Sequence, residues 1–219
     1  MISKQKGIIL DYDGVIAESN HIKTDAFREL FKKEKKEHTN QFIEYHLNNE
    51  GISRTEKIKY FFYEILKKRI SKKEISSKAA EFSSLVVKQV INSKKVKGVR
   101  DFLKNNYKKK DLFISTGTPT EEIKFILEET NMKIFFQDIF GSPNSKEMHI
   151  SFILKNYKYN KENLLFIGDS KTDLLASEKY GIRFILRTHK FNKKLSDSFK
   201  GSQFKNFLEI SKFLDDQAC

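Results

Sequence analysis

Four short apolar runs, GIIL (7–10), LFIS (112–115), NLLFIG (163–168) and IRFIL (182–186), are separated by longer stretches, and those between the last three, such as EEIKFILEET and TDLLASEKYG, repeat at a helical period. Strands alternating with helices predict a parallel α/β sheet flanked by helices, because parallel neighbours need a crossover long enough to hold a helix. One interval breaks the alternation. From Glu18 to about Ser93 the patterns are helical throughout (HIKTDAFRELFKK, RTEKIKYFFYEILKK, KEISSKAAEFSSLVVKQVI) and no strand is apparent. An interval of about 75 residues is too long for an ordinary crossover. The expected organisation is therefore an α/β core made of residues 1–17 and 94–219, with residues 18–93 inserted as an all-helical cap.

Ligands of parallel α/β sheets bind at the carboxyl ends of the strands, so the residues that follow each run carry the functional reading. After the first run come Asp11 and Asp13 with Gly14, and after the second Thr116 and Gly117. GSPNSKE, with Lys146, follows the apolar segment IFFQDIF, and GDSKTD, with Asp169 and Asp173, follows NLLFI. Helix-start signals sharpen the picture. TPTE reads as a capping box with Thr118 as N-cap and Pro119 at the first helical position, which makes the amides after Thr116 an anion site. NSKE reads as a start capped by Asn144, leaving Lys146 in the first turn. SKTD reads as one capped by Ser170, with Asp173 in the first turn. Asp11 and Asp13 alone could form a simple strand-end turn; GDSKTD at the same sheet edge is what argues otherwise. Four carboxylates so close repel one another unless some hold protons or a cation joins them. A hard divalent cation with oxygen ligands relieves the repulsion, and Mg²⁺ typically bridges a carboxylate or two to a substrate phosphate. Phosphoryl transfer is the implied chemistry.

The ordered set D-x-D-G-V, apolar-S-T-G, a central lysine and G-D-x-x-x-D resembles the haloacid dehalogenase superfamily, in its phosphatase and β-phosphoglucomutase-like branch with a helical cap after the first motif. The resemblance implies a Rossmann-like core. It also implies that Asp11 is the nucleophile that forms an aspartyl-phosphate and that Asp13 is the acid/base. Thr116, Gly117 and Lys146 would hold the phosphoryl group. Mg²⁺ would be bound by Asp11, the backbone carbonyl of Asp13 and Asp169, with Asp173 acting through water or an indirect contact. NNEGISRTEK resembles the specificity loop of the sugar-phosphate branch, which makes Arg54 a candidate for a substrate's distal anionic group; Ser53 and Glu56 also read as a capping box that would leave Arg54 solvated. Lys23 stands where the mutase pattern has a histidine, and Arg54 where the phosphonatase branch has its lysine. The expectation is a Mg²⁺-dependent phosphomonoester hydrolase for a small phosphorylated metabolite such as a sugar phosphate. The alternatives are a phosphosugar mutase and a non-catalytic basic binding protein on the same scaffold.

A formal charge of +13, from 42 Lys and Arg against 29 Asp and Glu, raises the question of a nucleic-acid partner. The lysine clusters are mixed with acids or lie beside amphipathic stretches, as on the solvent face of a helix, so the reading is a small phosphate ester as partner and no nucleic acid. No run approaches the ~18 apolar residues of a membrane span. The start MISKQKGIIL has no long apolar region, which argues against a cleaved signal peptide. A single cysteine, Cys219, cannot form an intrachain disulfide. A cytoplasmic monomer is expected, and the five histidines, which lack metal-like spacing, are assigned to packing or surface.

Overall fold

In the computed structural model, residues 5–210 are described. The first strand, β1 (Gly7–Leu10), is buried along its whole length. It pairs in parallel with β2 (Asp111–Pro119) on one side and with β4 (Leu164–Gly168) on the other. The sheet is completed by β3 (Asp138–Ser142), β5 (Arg183–Arg187) and the short edge strand β6 (Gln203–Phe204), all parallel, in the order β3-β2-β1-β4-β5-β6. A strand covered on both faces reads as a continuous apolar run rather than an alternation, which is why GIIL is uniformly hydrophobic. Ile8 and Leu10 join Ile114, Leu165 and Ile167 in one core cluster, and Ile9 joins Phe113, Phe166, Ile150 and Ile153 in the other.

The register fixes the working edge. Leu10 lies opposite both Ile114 and Ile167, so the residues that follow these three positions share one edge. The strand order reverses direction beside β1, where a crevice forms in such sheets.

Between β1 and β2 the chain runs through α1 (Asn20–Leu30), α2 (Lys36–Asn48), α3 (Arg54–Tyr60), a π-helical turn (Phe61–Ile65), α4 (Lys72–Asn92) and α5 (Val99–Asn106). Phenylalanine holds α1, α2, the π-helical turn and α4 together. Phe31 stacks on Phe61 with ring centroids 3.8 Å apart, Phe27 meets Phe82 at 4.2 Å, and Phe42 meets Phe61 edge-on at 5.2 Å. Such rings bring large apolar area together with a specific geometric preference. The single helix suggested by RTEKIKYFFYEILKK is instead α3 followed by the π-helical turn, a rare widening of the helix. After β2, helices α6 (Thr120–Glu129), α7 (Lys146–Asn156), α8 (Lys171–Tyr180) and α9 (Lys193–Ser198) link the remaining strands.

Two helix starts differ from expectation. β2 extends to Pro119 and α6 begins at Thr120 without a side-chain cap, because the Thr118 hydroxyl donates instead to Asp13, at 3.1 Å. Helix α7 is capped by Ser145 rather than Asn144; the Ser145 hydroxyl accepts from the Met148 amide at 3.3 Å, and Lys146 is the first helical residue. The Ser170–Asp173 capping box is present at α8. IFFQDIF divides into a 3₁₀ turn (Lys133–Phe135) and β3, and no pattern in the sequence announced β6. Among the described residues no helix is long and apolar enough to cross a membrane.

Candidate active site at the carboxyl edge of the sheet

Immediately past β1 the chain makes a tight turn in which the Tyr12 carbonyl accepts from the Ile16 and Ala17 amides, at 2.8 and 3.0 Å. Gly14 has φ +77°, and a Cβ there would collide with the Asp169 carboxylate. The turn sends two neighbouring carboxylates into different surroundings. Asp11 accepts from its neighbour's amide (Tyr12 N, 2.6 Å) and from the Lys146 ammonium (2.7 Å). Asp13 accepts from the Ser19 hydroxyl (2.6 Å), from Thr118 and from the Lys23 ammonium, which also donates to Thr118 at 2.9 Å.

The two differ in electrostatics as well. Burial pushes Asp11 well above the ordinary carboxylate range; Lys146 opposes this, while the charges of Asp173, Asp169 and Asp13 add to it. Burial also works against ionised Asp13, but the Lys23 charge and the hydrogen bonds from Lys23, Ser19 and Thr118 outweigh it and hold this carboxyl below its usual value. Adjacent carboxyls with opposite shifts are a common arrangement at catalytic centres.

Beyond Asp11 lie Asp169, past β4, and Asp173, in the first turn of α8. Asp11, Asp169 and Asp173 offer carboxylate oxygens that all lie within 4.8 Å of one another, and each residue is nearly fully buried. Lys146 bridges Asp11 and Asp173. Burial and the Asp169 charge raise Asp173, against the pull of Lys146. Asp11, Asp13, Asp169 and Asp173 against Lys146 and Lys23 leave two negative charges, which one divalent cation balances. A donor set of buried carboxylate oxygens suits a hard cation, so the residues present fit Mg²⁺.

The structure brings Asp11, Asp13, Thr116, Gly117, Lys146, Asp169 and Asp173 together at one edge. Thr116 is 1% exposed at the mouth of β2. The loop before α3 lies directly above it: a Cβ on Gly117 would sit 2.7 Å from the Gly51 carbonyl, and the Glu50 carbonyl accepts from Thr172 at 3.0 Å. Arg54 is neither solvated nor unpaired. Its guanidinium donates to both oxygens of Glu122 and to Ser83, and it lies 4.7 Å above the Phe82 ring. Between the sheet edge and helices α1, α2 and α3 is a cavity of about 50 Å³ lined by Asp11, Asp13, Lys23, Glu50, Arg54 and Lys57, among others.

Several residues at this site were not anticipated. His189 Nε2 lies 2.7 Å from Asp169, and Asn20 donates to the same carboxylate oxygen at 3.1 Å. Asn192 donates to the Asp169 carbonyl at 2.7 Å. His189 falls two residues past β5, so reading beyond every strand end would have found it. Asn20, Lys23 and Thr24 share one face of α1 at helical spacing, a second usable signal. His46 and Lys57 have none, because only the packing of α2 on α3 brings them together.

The family model for haloacid dehalogenase-like hydrolases matches residues 8–187, and the chain belongs to that family. A phosphoglycolate phosphatase of Vibrio cholerae is 30% identical over 86 residues, a stretch that covers 37% of this chain and 38% of that protein. The match thus spans well under half the length of the curated relative. Among solved structures, a predicted phosphoglycolate phosphatase from Haemophilus somnus superposes with a TM-score of 0.76 at 18% identity, covering 97% of this chain and 99% of its own. The magnesium-bound Bacillus subtilis protein YfnB superposes with a TM-score of 0.70 at 16% identity, covering 96% and 99%.

Proposed function

We propose that the chain is a Mg²⁺-dependent phosphatase that hydrolyses a small phosphate monoester through an aspartyl-phosphate on Asp11, with residues 18–93 serving as a cap over the site. The observation that carries this reading is the pairing at the end of β1. One carboxylate, Asp11, lies against Lys146 and two further acids, while the other, Asp13, is held separately by Lys23, Ser19 and Thr118.

In the first step an Asp11 oxygen forms a bond to phosphorus as the bond to the ester oxygen breaks, and the departing alkoxide takes a proton from Asp13. The Lys23 charge favours ionised Asp13, so once Asp13 holds a proton it is a strong acid toward the alkoxide. Asp13 is left ionised and hydrogen-bonded, which suits it to accept a proton from water in the second step. The water oxygen then bonds to phosphorus, the Asp11–phosphorus bond breaks, and inorganic phosphate leaves with Asp11 restored. Lys146, the Thr116 hydroxyl and the Gly117 amide are the donors available to the phosphoryl oxygens. Asp11, Asp169 and Asp173, with the Asp13 carbonyl, would hold Mg²⁺, which when bound offsets the repulsion between phosphate and carboxylates. The magnesium-bound relative supports that assignment.

Lys23 donates to Asp13 from the position where a mutase carries a histidine, and a protonated lysine cannot accept a proton from a sugar hydroxyl. Water is accordingly the proposed acceptor. The names of the Vibrio and Haemophilus proteins point toward a two-carbon phosphorylated acid, and a cavity of about 50 Å³ suits such a substrate better than a hexose phosphate. The test is phosphate release from a panel of monoesters. Activity is expected with Mg²⁺, lost in EDTA, and not restored by Ca²⁺, whose larger coordination shell the compact carboxylate cluster does not suit. Full activity in EDTA would overturn the metal assignment.

A further inference from the structure

Three Lys and Arg side chains line the cavity between the sheet edge and the helices, and two of them are already paired. Lys23 is held by Asp13, and Arg54 is committed to Glu122. Lys57 is 3% exposed, and among the described residues its ammonium makes no ion pair and one hydrogen bond, to His46 Nδ1 at 2.8 Å. Burial, then the charges of Lys57, Lys23 and Arg28, push His46 well below its ordinary value, so it is neutral. Its Nδ1 therefore accepts from Lys57, and its Nε2–H faces the Thr24 hydroxyl at 3.2 Å. Thr24 in turn donates to the Asn20 carbonyl at 3.1 Å. This directional chain anchors the ammonium through one of its N–H bonds and leaves two others without a partner.

A buried cation normally has a counter-charge, because an unpaired one is costly to desolvate. Among the described residues no carboxylate pairs with it: Glu50 and Asp13 act on it only from a distance. We propose that Lys57 recognises a second anionic group of the substrate, a carboxylate close to the phosphate ester, which defines the substrate class as short phosphorylated carboxylic acids. The inference rests on the phosphatase reading of the same site and assigns the distal anion to Lys57 instead of Arg54. Its dimensions agree. A cavity of about 50 Å³ that also borders Asp11, Asp13 and Thr116 leaves space for only a short group between the phosphoryl site and Lys57. Burial and the Lys23 charge push Lys57 down to about 7, with Glu50 and Asp13 pulling it up; an arriving carboxylate supplies the charge it lacks.

The test separates recognition from turnover. Asp11→Asn protein and the Asp11→Asn/Lys57→Met double variant are titrated calorimetrically, in Mg²⁺, with 2-phosphoglycolate and with 2-hydroxyethyl phosphate, which has the same length but no second charge. Asp11→Asn is expected to prefer 2-phosphoglycolate by about 10- to 100-fold, the range of a charge-assisted hydrogen bond, and Lys57→Met to bring the ratio of the two dissociation constants near unity. Lys57→Met should melt no lower than its parent, since it removes an unpaired buried charge. Lys57→Gln, which keeps a donor without the charge, should lose the preference as well. A preference that survives both substitutions, or is absent from the start, overturns the proposal; so does a Lys57→Met protein that loses stability together with the preference, which would mark a structural role. Phosphate release by the wild type is read separately, so failure of the hydrolytic reading is distinguishable from failure of the recognition.

Discussion

Replacing Glu122 with alanine should destabilise the chain far more than an ion pair at the surface would. Arg54 on α3 and Glu122 on α6 are joined by two guanidinium–carboxylate hydrogen bonds, and their side chains are only 4% and 10% exposed. Ser83, on α4, donates to the same carboxylate at 2.7 Å and accepts from Arg54. Surface pairs contribute about 0–1 kcal/mol. Removing one partner of a buried pair instead leaves the other charge uncompensated, at a cost of about 3–5 kcal/mol. At roughly 2–4 °C per kcal/mol for a chain of this size, Tm should fall by about 6–20 °C in a thermal melt followed by circular dichroism. The double variant Arg54→Met/Glu122→Met, which removes both charges and keeps apolar volume against Phe82, should recover most of that loss. A Glu122→Ala protein that melts within a degree or two of wild type, or a double variant as unstable as the two single losses added together, would refute the reasoning.

Asp13→Asn should reduce turnover by ~10²- to 10⁴-fold while leaving binding of inorganic phosphate intact, because only the proton transfers are lost; fluoride-free steady-state kinetics and a phosphate titration read the two effects. Gly117→Ala places a methyl group 2.7 Å from the Gly51 carbonyl, so kcat/KM should fall as the loop before α3 is pushed off the site, with little change in Tm. Lys57 binds its proton less tightly when folded (about 7) than when unfolded (10.5). Its penalty is therefore fully present below about pH 7 and fades as pH rises toward 10.5, since the unfolded state holds the extra proton in that window. With Lys23, His46 and Glu50 the same in both proteins, the stability of wild type minus that of Lys57→Met should become less negative across that range, and a flat difference by denaturant titration would contradict the shift.

The parts of this architecture that were legible in the sequence are those fixed by local patterns. GIIL reads as a buried strand because both faces of β1 are covered, and Ser170 caps α8 because its partner Asp173 lies only three residues on in sequence. Thr118 carries the same kind of signal at α6, yet its hydroxyl is taken by Asp13, 105 residues away in sequence, which no local pattern reveals. Contacts among the inserted helices were illegible for the same reason. Lys57 and His46 are 11 residues apart on different helices, and Arg54 and Glu122 are 68 apart. Their roles depend on helix packing by phenylalanines whose partners the sequence does not name. His189 lies within reach of the strand-end rule, two residues past β5, but the mutual spacing of the histidines carries no sign of it.

The central claim is that Asp11 itself takes the phosphoryl group. A rapid quench of wild-type protein turning over a phosphate ester in Mg²⁺, followed by borohydride reduction and peptide mapping by mass spectrometry, tests it directly. An acyl-phosphate on Asp11 is reduced to homoserine, so the account predicts that conversion at residue 11, dependent on substrate and absent from Asp11→Asn. Steady hydrolysis with no conversion at residue 11, or with conversion at another carboxylate of the cluster, would contradict it.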